Sequence, residues 1–312
     1  MRVLFTGASS FTGMWFVDAL ACRGHEVTAI FQKPLESYTG LRGVRVERAT
    51  KQCRSIFSCC FGSDAFISLL EENKYDLLCH HAADVTDYKN PNFDVVRAAN
   101  NNTNNIKSVL EVMTHQGCGH FLLTGSVFEP CEGSAGDGSI PLAVSPYGLS
   151  KGISSDVIEY YSRVFGVLLH KFVIPNPFGP YEEDRFTSYL AKRWHAGVVA
   201  DVSSPDYVRD NIPVTLLALA YAGYAESAIA KDKPSRINPS YRPDSQRNFA
   251  TLFASEMEKR LPFPCKLNFA IQTEFVEPKV RINTDAIAME DGLWDEADFW
   301  DQTAVFYKNA FK

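Results

Sequence analysis

Short apolar runs alternate with stretches of helical periodicity over roughly the first 175 residues. The runs predict strands near 2–6, 26–31, 44–48, 76–81, 119–124 and 168–174. The periodic stretches predict helices near 12–23, 63–73, 95–115 and 147–165. Within the third helix, Asn100-Asn101-Asn102 reads as a polar helix entry. Strands alternating with helices predict an α/β chain whose parallel sheet is covered on both faces. Ligands of such sheets bind at the C-terminal ends of the strands. Beyond residue 180 the pattern loosens, and Pro-rich stretches at 233–243 and 262–264 predict the loops of a smaller lobe.

Composition narrows the function classes. A chain of 312 residues can bury a large core and carry a second lobe. Its net charge of −6 lacks the basic face that a general nucleic-acid binder needs. The 8 Cys form no C-x-x-C pair, and Cys59-Cys60 are adjacent, which suits neither a disulfide framework nor a zinc site. They read as reduced thiols of a cytoplasmic protein with no metal. The chain enters a strand at once, so no signal peptide is expected. Leu216 to Ala230 is apolar but too short and too rich in Tyr and Ser to span a bilayer, so no membrane partner is expected.

The chemistry is carried by two motifs. In the first, Arg2-Val3-Leu4-Phe5-Thr6 runs directly into Gly7-Ala8-Ser9-Ser10-Phe11-Thr12-Gly13 and then into a helical stretch. Strand, glycine turn and helix in that order open a dinucleotide-binding βαβ unit. Gly7 permits the tight turn, Gly13 lets the helix pack on the strand, and the helix N-terminus faces a pyrophosphate. The second motif is Tyr147-Gly148-Leu149-Ser150-Lys151. Residues four apart share a helix face. At ~5 Å and an effective dielectric of ~20, the ammonium favours the phenolate by roughly 3 kcal/mol, about two pKa units. The phenol then becomes a usable acid or base near neutrality.

Three further segments accompany these motifs. One strand ends in His80-His81-Ala82-Ala83, another in Thr124-Gly125-Ser126, and Asn176-Pro177-Phe178-Gly179-Pro180 follows a third. With Thr6-Gly7-x-x-Ser10-x-x-Gly13, Tyr147-x-x-x-Lys151 and Arg209-Asp210-Asn211-Ile212-Pro213-Val214, the chain resembles the extended short-chain dehydrogenase/reductase family. Its nucleotide-sugar epimerases, dehydratases and ketoreductases are the most similar group. The resemblance covers residues 1–220 well and the remainder loosely. It implies a Rossmann-type doubly wound sheet over 1–180 and a mainly substrate-binding lobe over 181–312. The chain would return to the sheet near 206–240, with Arg209-Asp210 and Ile237-Asn238 as candidate crossings. It also implies a homodimer.

The resemblance implies that Tyr147 and Lys151 are catalytic, with Ser126 or Thr124 as the third hydroxyl and Ser126 slightly favoured. Implied cofactor contacts are Gly7, Ser9, Ser10, Phe11, Thr12, Gly13, Gln32, Lys33, Ala82, Ala83, Asn102 and Pro175, besides Tyr147 and Lys151. Asn176 and Arg209 would hold the diphosphate of a nucleotide sugar. His80 and His81 read as core imidazoles. Departures matter too. Ser10 stands where the middle turn glycine belongs, and fits there if its φ stays negative. Phe31-Gln32-Lys33 lacks the acid that grips the adenosine ribose, which favours NADP(H) over NAD(H). Gly125 and Ser126 replace the acidic pair of the dehydratases. These features point to NADPH-dependent reduction of a 4-keto-6-deoxy sugar. An NAD-dependent C4 epimerase is the alternative, and a non-catalytic, cofactor-sensing binding protein is the third reading.

Overall fold

Strand β1 (Arg2–Thr6) is followed by helix α1 (Phe11–Cys22), β2 (Glu26–Ile30), α2 (Gly40–Thr50), β3 (Arg54–Ile56), α3 (Asp64–Glu72) and β4 (Leu77–His80) in a computed structural model that describes residues 1–287 and 292–311. Then come α4 (Val95–Asn102), α5 (Ile106–His115), β5 (His120–Ser126), α6 (Pro146–Phe165) and β6 (Leu168–Ile174). Next are β7 (Asn176–Phe178), α7 (Phe186–His195), β8 (Ala200–Val202), β9 (Val208–Pro213), α8 (Val214–Ile229) and β10 (Ser235–Ile237). The last stretch holds β11 (Pro239–Ser240), β12 (Pro243–Ser245), α9 (Gln246–Glu258), β13 (Leu267–Phe269), β14 (Val280–Arg281), β15 (Asp285–Ala286) and α10 (Glu296–Ala310).

The first compact unit comprises residues 1–132, 140–174 and 218–238. Its sheet has seven parallel strands in the order β10-β6-β5-β4-β1-β2-β3. This is the doubly wound Rossmann arrangement. The strand order reverses beside β1, so the crevice for a dinucleotide opens beyond the ends of β1 and β4. One face of the sheet buries Leu4, Leu78, Phe121, Leu123 and Leu169 with Phe66, Val109 and Ile158 of the helices. On another side of the core Phe16, Phe172 and Tyr221 pack together, with Phe16 and Tyr221 stacked at 4.0 Å between ring centroids.

The second unit comprises residues 133–139, 175–217 and 239–312. Strand β9 is its hub, pairing with β7, β12 and β14. Its core gathers Phe178, Trp194, Phe249, Phe253, Phe299, Trp300 and Tyr307. The chain leaves this unit within α8 and returns to it after β10, at Ile237-Asn238. Arg209-Asp210, the other expected crossing, lies inside β9 of this unit. Residues 133–139 join it as well, through the bridge between Ser134 and Ile282.

Two expected elements differ. Residues 44–48 lie in α2, and the third strand is 54–56. Val44-Arg45-Val46 alternates like a strand, but burial falls on Arg45, Val46 and Ala49, one face of a helix, and leaves Val44 exposed. The single helix expected over 95–115 is two. Asn105 adopts a left-handed φ of 48° and donates from Nδ2 to Gly62 O at 2.7 Å, so the chain breaks and restarts there. Among the described residues no helix is long and apolar enough to cross a membrane, and no cluster of His, Cys, Asp or Glu could hold a metal ion.

Candidate active site

The turn after β1 is built for close approach. Gly7 has φ 88°, and a Cβ there would lie 2.8 Å from Ala82 N. A Cβ on Gly13 would lie 2.2 Å from Gly7 O. Neither position admits a side chain. Ser10 adopts φ −79°, the negative value that lets serine replace glycine. It also caps α1, because its Oγ accepts from Gly13 N at 3.0 Å and donates to Gly7 O at 2.9 Å. The first turn of α1 carries the positive end of the helix dipole. A glycine-lined cradle at a helix N-terminus fits a dinucleotide pyrophosphate.

Polar residues of the turn are braced against β4. His81 Nε2 lies 3.0 Å from both Ser10 Oγ and Thr12 Oγ1. Ser10 gives its proton to Gly7 O, so the imidazole is the donor toward it. Burial, with the Lys151 cation nearby, pushes the His81 pKa down to about 3, so the ring is neutral. The same causes bring His80 to about 3. His80 bridges Thr6 Oγ1 at 3.0 Å and Asn102 O at 3.1 Å. Thr6 Oγ1 also accepts from Ala82 N at 3.0 Å. Both histidines are structural braces. Ala82 and Ala83 follow them at the strand end, half-buried.

After β2, where the adenosine ribose is expected, Phe31 is buried and stacks on Phe57 at 4.8 Å, while Gln32 and Lys33 are exposed. The backbone N of Lys33 donates to Tyr38 Oη at 3.1 Å. Arg42 of α2 was not legible in the sequence. Its Nε and Nη2 donate to Ser9 Oγ at 3.3 and 3.0 Å, and its guanidinium lies 5.8 Å from the Tyr38 ring centroid. A second cation therefore stands beside the turn. Its separation of 33 residues from Ser9 follows no short-range spacing rule.

Tyr147 and Lys151, the expected acid–base pair, lie on α6. Ser145 caps this helix by accepting from Gly148 N at 3.2 Å, and Pro146 occupies its first turn. Tyr147 is half-buried, with its ring centroid 5.4 Å from that of Tyr88 and 6.3 Å from that of Phe93. One turn on, Lys151 is buried and its Nζ donates to Thr124 O at 2.5 Å. Burial lowers the Lys151 pKa from its ordinary value, Lys171 adds to that, and Glu129 opposes it. Asn102 ties α6 to the β4 loop: Oδ1 accepts from Asp84 N at 2.7 Å and Nδ2 donates to Ser154 Oγ at 3.2 Å.

The two candidate hydroxyls share a face of β5 but not an environment. Thr124 is buried beside the Tyr221 hydroxyl. Ser126 ends the strand, half-buried, and its Oγ accepts from Phe128 N at 3.2 Å. Pro175, Asn176 and Arg209 belong to the second unit. Arg209 is buried there, with Nη2 on Glu277 Oε2 at 3.0 Å and Nη1 donating to the carbonyls of Val208, Pro278 and Lys279. Nη1 and Nη2 are engaged within the residue's own unit, so a diphosphate would have to compete with Glu277 for Nη2.

Comparison with known proteins agrees with this geometry. The sequence pattern of the NAD dependent epimerase/dehydratase family matches residues 3–237. No curated protein matches the chain. Among solved structures, a UDP-glucuronic acid 4-epimerase mutant from Bacillus cereus, in complex with UDP-4-deoxy-4-fluoro-glucuronic acid and NAD, is similar with a TM-score of 0.74 at 16% identity over 99% of both chains. A UDP-glucose 4-epimerase from Thermotoga maritima with UDP-glucose has a TM-score of 0.71 at 17% identity over 100% of both chains. A UDP-glucose 4-epimerase complex with NAD from Thermus thermophilus gives 0.70 at 16% over 99% of this chain and 100% of its own. At such identities the likeness is one of fold, while the sequence pattern spans most of the chain. The chain belongs to the NAD dependent epimerase/dehydratase family.

Proposed function

We propose that this protein inverts C4 of a nucleotide-linked hexose by oxidising and re-reducing the same carbon. The observation that carries this reading is the end of β5, where Ser126 shares a unit with Tyr147 and Lys151 while the carboxylate of Glu129 is already engaged. Glu129 accepts from Lys171 Nζ at 2.6 Å and from Ser126 N at 2.7 Å. Elimination of water needs a carboxyl free to exchange protons, and Glu129 is not free to do so. Reversible hydride transfer at one carbon needs only the phenol, its ammonium and a dinucleotide. The solved neighbours named as 4-epimerases in complex with UDP-sugars and NAD support this choice over net reduction.

In this reading the residues 7–13 turn, with Ala82 and Ala83, holds the dinucleotide, and Asn102 supports it through β4. When bound, the nicotinamide supplies a hydride acceptor that later returns the hydride. Tyr147 takes the proton of the C4 hydroxyl and gives it back to the ketone oxygen once the keto sugar has turned its other face toward the nicotinamide position. Lys151 holds positive charge beside the phenolate. Ser126 is the hydroxyl that polarises the ketone, since it stands at the strand end where Thr124 is enclosed. Asn176 and Arg209 are the candidates for the diphosphate. NADPH-dependent reduction of a 4-keto sugar is the second reading. Arg42 beside Ser9, exposed Lys33 and the missing ribose acid favour it, because two cations suit a 2′-phosphate.

The test uses UDP-glucose and UDP-galactose with NAD⁺, followed by proton NMR. C4 inversion with no deuterium gained from added 4-deuterated cofactor is expected. One NADPH consumed per keto sugar, with label on the product, would replace this reading with the second. We also infer a homodimer. On α6, Leu149, Ile153, Tyr160 and Val164 form one exposed apolar stripe, and Val96 of α4 is 77% exposed. Ile153→Glu with Val164→Glu should yield a monomer by sedimentation. A monomeric parent protein would end this inference.

A further inference from the structure

The loop between β4 and α4 leads from the C-terminal end of the middle strand of the sheet to the Tyr147 ring on α6. Such strand ends are where ligands of a doubly wound sheet bind. Successive turns fold residues 84–93. Tyr88 N donates to Val85 O at 3.3 Å, Asn90 N to Asp87 O at 2.8 Å and Phe93 N to Asn90 O at 3.0 Å. Side chains stiffen these turns, as Asp84 Oδ1 accepts from Thr86 N at 3.0 Å and Asn90 Oδ1 from Asn92 N at 2.9 Å. Asp84 also ties the loop to α4. Its Oδ2 accepts from Asn101 Nδ2 at 2.9 Å, and its N donates to Asn102 Oδ1 at 2.7 Å. Asp87 holds a left-handed φ of 55° directly before Tyr88, a conformation that L-residues disfavour. The bend that presents Tyr88 is therefore built against local preference.

Two rings of this loop meet Tyr147. Phe93 is buried and stands edge-on to it, at 6.3 Å between centroids and 80° between planes. Tyr88 is half-buried, at 5.4 Å and 60°. Phe93 backs the phenol from the protein side, while Tyr88 keeps a surface that a ligand can touch. The exposed Lys89 lies over the Tyr88 ring at 5.8 Å, near the limit of a cation–π contact, so it covers the ring only loosely. In the reading above, the C4 hydroxyl of the sugar hydrogen-bonds the Tyr147 oxygen at roughly 2.6–3.2 Å. The pyranose then lies beside Tyr147, where Tyr88 is a half-exposed ring. A pyranose carries C–H groups on its faces and hydroxyls around its rim. An aromatic face takes the C–H groups by dispersion and grips no hydroxyl. That suits inversion at C4, because the keto sugar turns over between the two hydride transfers. A hydrogen bond that fixed one orientation would have to break, whereas an apolar wall serves both.

We propose that Tyr88 is a substrate-binding residue, the aromatic wall against which the pyranose of the nucleotide sugar packs beside Tyr147. This rests on the reading above in taking a nucleotide hexose as substrate. The ring of Tyr88 carries the role and its hydroxyl does not. Tyr88→Phe should therefore behave as wild type. Tyr88→Ala should lose the grip on the hexose and keep that on the nucleotide.

The experiment titrates UDP and UDP-glucose by calorimetry with NAD present, in a Tyr147→Phe background that stops turnover and keeps the ring. Adding Tyr88→Ala should weaken UDP-glucose about tenfold and UDP less than about twofold. In protein with Tyr147 intact, Tyr88→Ala should raise KM for UDP-glucose about tenfold with kcat changed less than about threefold, and Tyr88→Phe should restore both. Unchanged UDP-glucose affinity with a lower kcat would make the ring a support for Tyr147 and overturn the proposal. Equal losses for UDP and UDP-glucose would overturn it too, since the hexose would then contribute nothing at this wall. Should Tyr88→Ala not fold, Tyr88→Leu keeps the apolar bulk without the flat face, and a selective loss of UDP-glucose affinity is expected there as well. Protein that binds neither UDP nor UDP-glucose ends the nucleotide-sugar reading and the proposal together. The expected binding pattern without C4 inversion would sink the epimerase reading and leave the role of Tyr88 standing.

Discussion

Tyr147 and Lys151 are close in sequence because helix geometry demands it, yet their surroundings differ sharply. Tyr147 is half-buried against Tyr88 and Phe93, where a substrate can reach it. Lys151 is enclosed, and burial works against its charge. A residue that must stay charged in such a place needs a counter-charge, whereas one that exchanges protons with solvent-borne substrate needs access. Tyr147→Phe removes only the hydroxyl. Turnover should drop at least ~10²-fold, the range of a general acid–base group, with the melting temperature and cofactor affinity nearly unchanged. Near-normal turnover in that variant would remove Tyr147 from the mechanism. Lys151→Ala should lower both turnover and cofactor affinity, since the ammonium would serve the phenol and the dinucleotide together.

At the scale of elements, the β1–turn–α1 unit shows how three polar residues brace one another. Ser10, Thr12 and His81 meet at a single imidazole nitrogen, and Phe16 closes over the ring edge-on at 5.1 Å. His81→Leu would leave Ser10 satisfied, because its Oγ keeps Gly13 N and Gly7 O. Thr12 would lose its partner. The expected cost is about 1 kcal/mol, the net worth of one such hydrogen bond, with a several-fold loss of dinucleotide affinity. Urea unfolding and fluorescence titration measure the two; unchanged values would mean that the brace is ornamental. Such local units are what the sequence exposes. Gly7, Gly13 and Tyr147-x-x-x-Lys151 have fixed spacings set by one turn or one helix. Arg42, Glu129 and Lys171 have none, because tertiary packing brings them to the site. The strand expected at 44–48 failed for a related reason: Val44-Arg45-Val46 satisfies both periods locally, and only the sheet's choice of 54–56 as its edge decides between them.

For the whole molecule the decisive quantity is the traffic of cofactor. An epimerase returns the hydride to the carbon that lost it, so release of the dinucleotide between turnovers serves nothing. A reductase must exchange it each cycle. The first unit holds the glycine turn, the β4 alanines, Tyr147 and Lys151, the residues that the epimerase reading assigns to the dinucleotide and to proton transfer. The turn is held by its own hydrogen bonds, and in the epimerase reading that lowers the ordering cost of binding the dinucleotide. Its ribose end argues the other way, since Gln32 and Lys33 are exposed and no acid stands there. A partly exposed charge-assisted contact to a 2′-phosphate contributes roughly 1.5–3 kcal/mol, about ten- to a hundred-fold in affinity. The expected outcome follows from the epimerase reading. Protein purified without added cofactor should carry close to one NAD per chain, and NADPH should not displace it at equal concentration. Protein that emerges empty, binds NADPH at least tenfold tighter than NADH and loses that preference in Lys33→Asp or Arg42→Ala would instead be a reductase. In that case the exposed cations, and not the braced turn, would govern how the molecule handles its dinucleotide.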